Sequence, residues 1–211
     1  MRHKSEVLSL KTPICRFQFA WLVEPDTKFE PMWKVDLLIK AEDAAEIEEQ
    51  LDSFLKRWKE QLKLAEPKKQ WKMNEKGGVP WEYKEVEDDG ETFSAFVIKT
   101  KMKVGGVDST TGKVWKNNPP ALFDSDARPM TEDARNMVNK CGPGTLGRVN
   151  LRVSGYEGGF GVGVKIQPEA AQIIKHVPYT RGATSYGFEA EEGNFKAEEA
   201  PASEGSSEAD F

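Results

Sequence analysis

Three lysines at every second position of one segment are the residues best placed to bind an anion. In residues 93–104 (FSAFVIKTKMKV), Lys99, Lys101 and Lys103 occupy odd positions, and the apolar face at the even positions consists of Phe96, Ile98, Met102 and Val104. A β-strand places such alternate residues on one face, about 6–7 Å apart. Ammonium groups aligned in this way repel one another unless an anion or solvent covers them. The row therefore predicts either a phosphate-binding face or a solvated edge strand that its charge protects from aggregation.

Three other segments divide in the same way into an apolar face and a polar or basic face. Residues 32–40 (MWKVDLLIK), 145–153 (TLGRVNLRV) and 161–167 (GVGVKIQ) alternate with a period of two, which is typical of half-buried β-strands. Together with the lysine row they supply the candidate phosphate contacts. These are Lys34, Lys99, Lys101, Lys103, Arg148, Arg152 and Lys165.

Flat aromatic side chains occur close to these basic residues and at the turns. Trp115 follows the lysine row, and Tyr156 and Phe160 lie in the glycine-rich hairpin GYEGGFG. Sequence-tolerant binding of a single strand requires a cationic groove along the phosphates and aromatic platforms, on which each stacked base contributes about 1–3 kcal/mol. Trp33 is a fourth aromatic candidate, but its place on the apolar face of its strand predicts a core residue.

The N-terminal segment 7–23 contains a strand with an unbroken period of two. One of its faces reads Cys15, Phe17, Phe19, Trp21 and Val23. The polar segment 66–91 predicts a long surface excursion, and in compact domains such loops are usually functional or mobile. Residues 121–123 predict a short strand, and 168–176 predict either a short helix or a further strand.

Two helices are predicted. Between residues 43 and 64, apolar residues recur at three- and four-residue spacing, which indicates an amphipathic helix with its stripe in the core rather than on a partner helix. Asp43 and Glu46 have the spacing of a capping box. Thr131 is the expected N-cap of a short helix that ends near Lys140.

The net charge of the chain is negative because of its acidic C-terminus, and the rest of the chain is slightly basic. The 211-residue chain has 30 Lys and Arg against 35 Asp and Glu, a net charge of −5. Residues 189–211 hold eight of the acids and one of the bases, so residues 1–188 carry 29 bases against 27 acids. The composition predicts a folded domain over 1–188 and a disordered acidic tail over 189–211, because the tail has too little apolar surface to fold. The tail ends in Phe211, an unusual aromatic terminus that suggests a docking residue.

Several classes of catalytic and metal site are disfavoured. Cys15 and Cys141 lie far apart, match no metal motif and fit reduced thiols in a cytosolic compartment. The chain has 2 histidines, which argues against a His-based metal site or a catalytic triad. The acids between 85 and 91 favour a solvated loop over a nuclease-like metal cluster, so neither an enzyme nor a cofactor is predicted. No apolar run approaches the roughly 20 residues that cross a bilayer.

The chain resembles the single-stranded DNA-binding proteins of T7-like bacteriophages in three places. MWKVDLLIK (32–40) is similar to that family's aromatic-Lys-Val-Asp-Leu strand. RVNLRVSGYEGGFGVGVKIQ (148–167) is similar to its basic strand, aromatic hairpin and returning strand, and the acidic tail that ends in Asp210 and Phe211 is similar to its terminus. These places cover about a quarter of the chain, in the expected order.

The resemblance implies an OB-fold, a five-stranded partly open barrel with one helix, that coats single-stranded DNA in phage replication, recombination and repair. It implies the cytoplasm of an infected bacterium as the location. Lys34, Tyr156 and Lys165 match DNA-face positions, and Asp210 and Phe211 match the part that contacts the replicative DNA polymerase and the helicase–primase. It also implies that the tail competes with DNA and that a homodimer can form. The alternative is a phage structural or protein-interaction module whose lysines only solubilise a strand.

Overall fold

The computed structural model describes residues 3–75, 77–108 and 111–179, and the compact unit that they form ends at Tyr179. The predicted domain boundary at 188/189 and the predicted tail lie outside the described residues. The strands are β1 (Val7–Lys11), β2 (Cys15–Asp26), β3 (Met32–Lys40), β4 (Trp81–Asp88), β5 (Glu91–Lys103), β6 (Gly105–Val107), β7 (Val114–Lys116), β8 (Ala121–Phe123), β9 (Leu146–Gly158) and β10 (Gly161–Lys175). The α-helices are α1 (Ala45–Ala65) and α2 (Glu132–Met137).

Most of the strands belong to one sheet that curls into a partly open barrel. Its hydrogen-bonded order is β4–β5–β3–β2–β9–β10–β8, and β1 pairs with β9 next to the start of β2. β10 also lies along β5, so the sheet curls round until distant strands meet. A separate two-stranded ribbon, β6–β7, begins just after the end of β5.

The barrel interior and α1 share a hydrophobic core. The buried stripe of α1 comprises Ile47, Leu51, Phe54, Trp58 and Leu62. This stripe confirms the amphipathic helix and its core-facing side. The predicted capping box is wrong, because the N-cap residue is Ala44 and makes no side-chain hydrogen bond. Residues Ala41–Asp43 form a 3-10 turn, which removes Asp43 from the capping position.

Within the predicted surface excursion, Trp71 and Met73 pack against the barrel, whereas residues 67–70 before them are exposed. The indole N–H of Trp71 donates to the carbonyl oxygen of Leu62 at 3.0 Å. Met73 forms a β-bridge with Val162 of β10, and Trp71 and Met73 pack against the cluster that contains Leu62 and Val162. This part of the chain therefore covers apolar side chains at the end of α1 and the start of β10.

The prediction of a surface excursion is wrong for the residues that form β4, which is a strand paired along β5. Only Trp81, Val86 and Asp88 of β4 are buried, so the strand lacks the alternation by which strands are found in a sequence. Asp88, one of the acids between 85 and 91, is a structural carboxylate. It accepts hydrogen bonds from Arg16 Nη1 at 3.3 Å and from the backbone N–H of Gly144 at 3.0 Å.

β2 does not keep an unbroken period of two. Its register on β3 shifts between Gln18 and Trp21, because Phe19 and Ala20 together lie opposite a single residue of β3. Phe17 is buried before this bulge and Ala20 is buried after it. The two faces of the strand therefore exchange at the bulge, and the predicted face is wrong beyond Phe17.

The C-terminal elements agree with most of the sequence predictions. The short strand at 121–123 is confirmed, and 168–176 is a strand for most of its length, as the second half of β10. Thr131 is the N-cap of α2, since its hydroxyl oxygen accepts from the backbone N–H of Ala134 at 3.3 Å. The helix ends at Met137, earlier than the predicted Lys140.

Candidate nucleic-acid interface

β5 presents its lysine row on the outer surface of the barrel. Lys99, Lys101 and Lys103 are exposed, whereas Ile98 and Met102 of the same strand are buried. The alternation predicted for this strand is confirmed. β5 pairs with β3 along the whole lysine row, but with β4 only over residues 91–98, so the charge-protected edge strand stays a second prediction for this row.

Lys34 extends this row onto β3. It lies directly opposite Lys101 in the register of β3 on β5, and Asp36 lies opposite Lys99. Burial raises the pKa of Asp36, although the positive charges of nearby lysines oppose that rise. The lysine face is defined here as Lys34, Lys99, Lys101 and Lys103.

Most of the lysine face is ion-paired with carboxylates of the same chain. The pairs are Lys34 Nζ to Asp26 Oδ2 at 2.5 Å, Lys99 Nζ to Glu82 Oε1 at 2.8 Å and Lys103 Nζ to Glu30 Oε2 at 2.7 Å. The hydrogen bond from Lys34 lowers the pKa of Asp26, and the one from Lys99 lowers the pKa of Glu82. Lys101 forms no ion pair with any residue that the structure describes.

A second basic surface lies on β9 and β10. Arg152 and Lys165 are exposed and Arg148 is half-buried, on strands whose alternate residues are in the core. Arg152 Nη1 lies 3.4 Å from Glu169 Oε1. Burial lowers the pKa of Lys165, and the charge of Arg152 lowers it further. The buried Nε of Arg148 has no hydrogen-bond partner among the described residues.

The three predicted aromatic platforms lie on different elements. The ring of Tyr156 covers Gly163, where a Cβ atom would come within 2.7 Å of it, and its hydroxyl accepts from Asn74 Nδ2 at 2.9 Å. Phe160, in the turn between β9 and β10, is 92% exposed. Trp115 on β7 lies over Gly106 of β6 and is 39% exposed.

The predicted site residues thus fall into two groups. The four lysines share the β3–β5 surface, and Arg148, Arg152, Tyr156 and Lys165 share the β9–β10 surface. The two surfaces adjoin where β10 lies along β5. Trp115 projects from the ribbon that begins just after the lysine row. Asp210 and Phe211 lie outside the described residues.

The fold is shared with solved proteins of two bacteriophages. The structure of gp2.5, a single-stranded DNA-binding protein encoded by bacteriophage T7, matches with a TM-score of 0.57 at 21% identity, over 91% of this chain and 100% of that one. The single-stranded DNA-binding protein of bacteriophage Enc34 in complex with single-stranded DNA matches with a TM-score of 0.53 at 13% identity, over 82% and 89%. The predicted OB-fold is confirmed. No family model and no curated protein sequence matches the chain.

In an OB-fold, oligonucleotides bind to the face of barrel strands 2 and 3, between the loop that joins strands 1 and 2 and the loop that joins strands 4 and 5. In this chain β1 and β2 together correspond to strand 1 of the OB-fold barrel. Strands 2 and 3 of that barrel therefore correspond to β3 and β5. These are the strands of the lysine face. The flanking loops hold Phe29 and Phe160, which are 83% and 92% exposed.

Three aromatic residues on or beside this surface were missed from the sequence. The bulge in β2 exposes Phe19 and turns Trp21 to the outer face, where Trp21 lies opposite Lys34. No sequence signal marks the position of the bulge. Phe29 could have been found from the sequence, because it is the one aromatic residue in the polar loop between β2 and β3. Trp33 is buried, as its place on the apolar face predicted.

The described residues contain neither a membrane-spanning helix nor a metal-binding cluster. Among them, no helix is long and apolar enough to cross a bilayer. No group of three or more His, Cys, Asp or Glu side chains in the same part of the chain could hold a metal ion.

Proposed function

We propose that this protein binds single-stranded DNA without sequence preference and is not an enzyme. The observation that carries the proposal is the lysine face on β3 and β5, the strands on which OB-folds bind oligonucleotides. The Enc34 protein of the same fold was solved in complex with single-stranded DNA. A face of point charges contacts phosphates of any sequence, and the aromatic residues beside it offer platforms for bases.

Binding exchanges one set of anions for another. Three of the four lysines form ion pairs with carboxylates, those of Asp26, Glu82 and Glu30. Phosphates that approach this face therefore replace these carboxylates as the partners of the lysines. Lys101 has no such competitor among the described residues and makes the first phosphate contact. The strand then continues toward Tyr156 and Lys165 along the junction of β5 and β10.

The C-terminal segment 189–211 acts as a competitor for the same surface. It carries eight acids and one base, opposite in sign to the lysine face, and it ends in Phe211. When DNA occupies the face, the segment is displaced and Asp210 and Phe211 become available to a replicative DNA polymerase and a helicase–primase. This places the protein in phage replication, recombination and repair, in the cytoplasm of the infected bacterium, with a homodimer through the tail as a further state.

A gel shift with labelled oligo-dT and a duplex of equal length tests the proposal. We expect the full-length chain to retard oligo-dT and to leave the duplex largely unbound. The affinity should fall with salt, with a log–log slope of about −0.7 per neutralised phosphate. A flat salt profile would contradict the assignment of the groove.

A second candidate is a phage structural or protein-interaction module that does not bind nucleic acid. The ion pairs Lys99–Glu82 and Lys103–Glu30 favour it, because a solvated surface without a ligand is expected to pair its charges in this way. The same gel shift separates the candidates, since an interaction module would leave both oligo-dT and the duplex unshifted.

A further inference from the structure

Phe19 combines two unfavourable features in one residue of β2. Its backbone φ is 51°, in the left-handed region that a bulky side chain rarely adopts within a strand. Its side chain is also 63% exposed, so it lies outside the buried core that would otherwise offset the strain. Residues held in such conformations concentrate at functional sites, where a ligand or a mechanism requires them.

The bulge places Phe19 beside the lysine face. The neighbouring outward residues of β2, Gln18 and Trp21, pair with Asp36 and Lys34 of β3. Ala20, the other residue of the bulge, is buried in the core. The ring of Phe19 therefore stands on the outer surface, at the level of the β3 residues that contribute to the cationic face.

We propose that Phe19 is a base-stacking platform for the single strand bound on the lysine face. This inference rests on the proposed function and adds a contact on barrel strand 1. A flat apolar ring on the strand adjacent to Lys34 matches the two parts of a nucleotide, a base with a π-face and a phosphate. An apolar partner protein would be a poorer occupant, because it would have to cover the neighbouring ammonium groups.

The backbone strain allows a test in which stability and binding change in opposite directions. Glycine adopts positive φ without strain, so Phe19→Gly should leave the melting temperature unchanged or raise it. The same substitution should weaken binding of oligo-dT by about tenfold. The slope of log affinity against log salt should stay as in the unsubstituted chain, because no charge is removed.

Two control variants and one control ligand isolate the ring. Ala127 has φ 61° in the turn after β8, so Ala127→Gly relieves the same kind of strain without removing an aromatic and should leave DNA binding unchanged. Phe19→Leu keeps an apolar side chain and the strained backbone but removes the flat ring, and it should also weaken binding of oligo-dT. An oligomer of abasic deoxyribose phosphates should bind the full-length chain and both Phe19 variants equally.

Titrations of the full-length chain and its variants with fluorescent oligo-dT, next to thermal melts and size-exclusion chromatography, decide the question. If the unsubstituted chain binds oligo-dT and Phe19→Leu binds it equally well, the inference about Phe19 is overturned and the proposed function stands. If the unsubstituted chain fails to bind, the proposed function is overturned. Altered oligomeric state with unaltered DNA affinity would overturn the inference too, since Phe19 would then contact a second copy of the chain.

Discussion

Lys34 on β3 and Lys101 on β5 lie directly opposite each other on adjacent strands. Like charges in this position destabilise a sheet. Asp26 compensates Lys34 at 2.5 Å, whereas Lys101 has no ion pair among the described residues. The fold therefore carries an uncompensated positive charge at the centre of the lysine face, where a phosphate would remove the repulsion.

Lys101→Gln should weaken DNA binding and slightly stabilise the protein. The substitution removes one phosphate contact, so the salt slope should become shallower by about 0.7. Relief of the repulsion with Lys34 should raise the melting temperature by about 1–2 °C. Fluorescence titration over a salt series and thermal melts measure both quantities. Lys63→Gln, on the exposed side of α1, is the matched control, and an equal loss of affinity there would show that only net charge matters.

Glu82→Gln should strengthen DNA binding. Glu82 holds Lys99 at 2.8 Å, and its removal leaves that lysine available to a phosphate. An exposed ion pair contributes about 0.2–1 kcal/mol, so we expect a gain of about 1.4- to fivefold at low salt. Glu85→Gln makes the same charge change on the same strand at a residue without an ion pair in the described structure. If both variants gain equally, the competition between Glu82 and phosphate is not specific.

The lysine face could be predicted from the sequence because it depends on a local pattern. Lys99, Lys101 and Lys103 stand at every second position, and a strand with a period of two must put them on one side. Their carboxylate partners could not be predicted, because Glu82 and Glu30 come from other elements that only the fold brings near. The position of Phe19 could not be predicted either, since the bulge depends on how β2 pairs with β3.

Gly163→Ala should disturb the Tyr156 platform. A Cβ atom at Gly163 would lie 2.7 Å from the Tyr156 ring and 2.8 Å from the Cα of Gly78, so both neighbours must move. Overpacking of this kind costs about 1–3 kcal/mol, and displacement of the ring should also weaken binding of oligo-dT. Thermal melts and titrations check the two effects. Gly159→Ala is the control, because its Cβ would meet nothing within 4 Å.

Glu157→Gln should remove part of the acid dependence of stability. Hydrogen bonds from Lys69 and then from His3 lower the pKa of Glu157 to about 2. Because this lies below the value of about 4.3 for an unfolded chain, the carboxylate stabilises the fold fully above about pH 4.5, and this stabilisation is lost as the pH falls toward 2. At pH 7 the variant should melt about 2–4 °C lower.

Thermal melts from pH 7 down to pH 2 follow this difference. The melting temperatures of the Glu157→Gln variant and the unsubstituted chain should converge as the pH approaches 2, because the native carboxylate is then protonated. Glu49→Gln, an exposed position on α1, should follow the unsubstituted chain throughout. A gap that stays constant with pH would indicate lost packing rather than a lost ion pair.

β4 is a strand that could not be predicted from its own residues, although the neighbouring strand β5 could. Its buried residues are Trp81, Val86 and Asp88, and one of these is a carboxylate that Arg16 satisfies from a distant strand. Pairing along β5 stabilises it, and that contact is not visible in its own residues. Hydrophobic periodicity thus finds the barrel strands that line the core and misses the strand added at the edge.

Removal of residues 189–211 should tighten DNA binding, most of all at low salt. The deletion removes eight acids and one base, so a competitor for the lysine face is lost, and charge competition is strongest at about 20–50 mM salt, where screening is weak. Removal of Phe211 alone keeps the carboxylates and should leave DNA affinity unchanged while it impairs capture of a polymerase. Titration with oligo-dT measures the DNA affinity. A pull-down with the DNA polymerase of the phage that encodes this chain measures the capture. Equal affinity of the full-length and shortened chains at low salt would show that the acidic segment does not reach the lysine face.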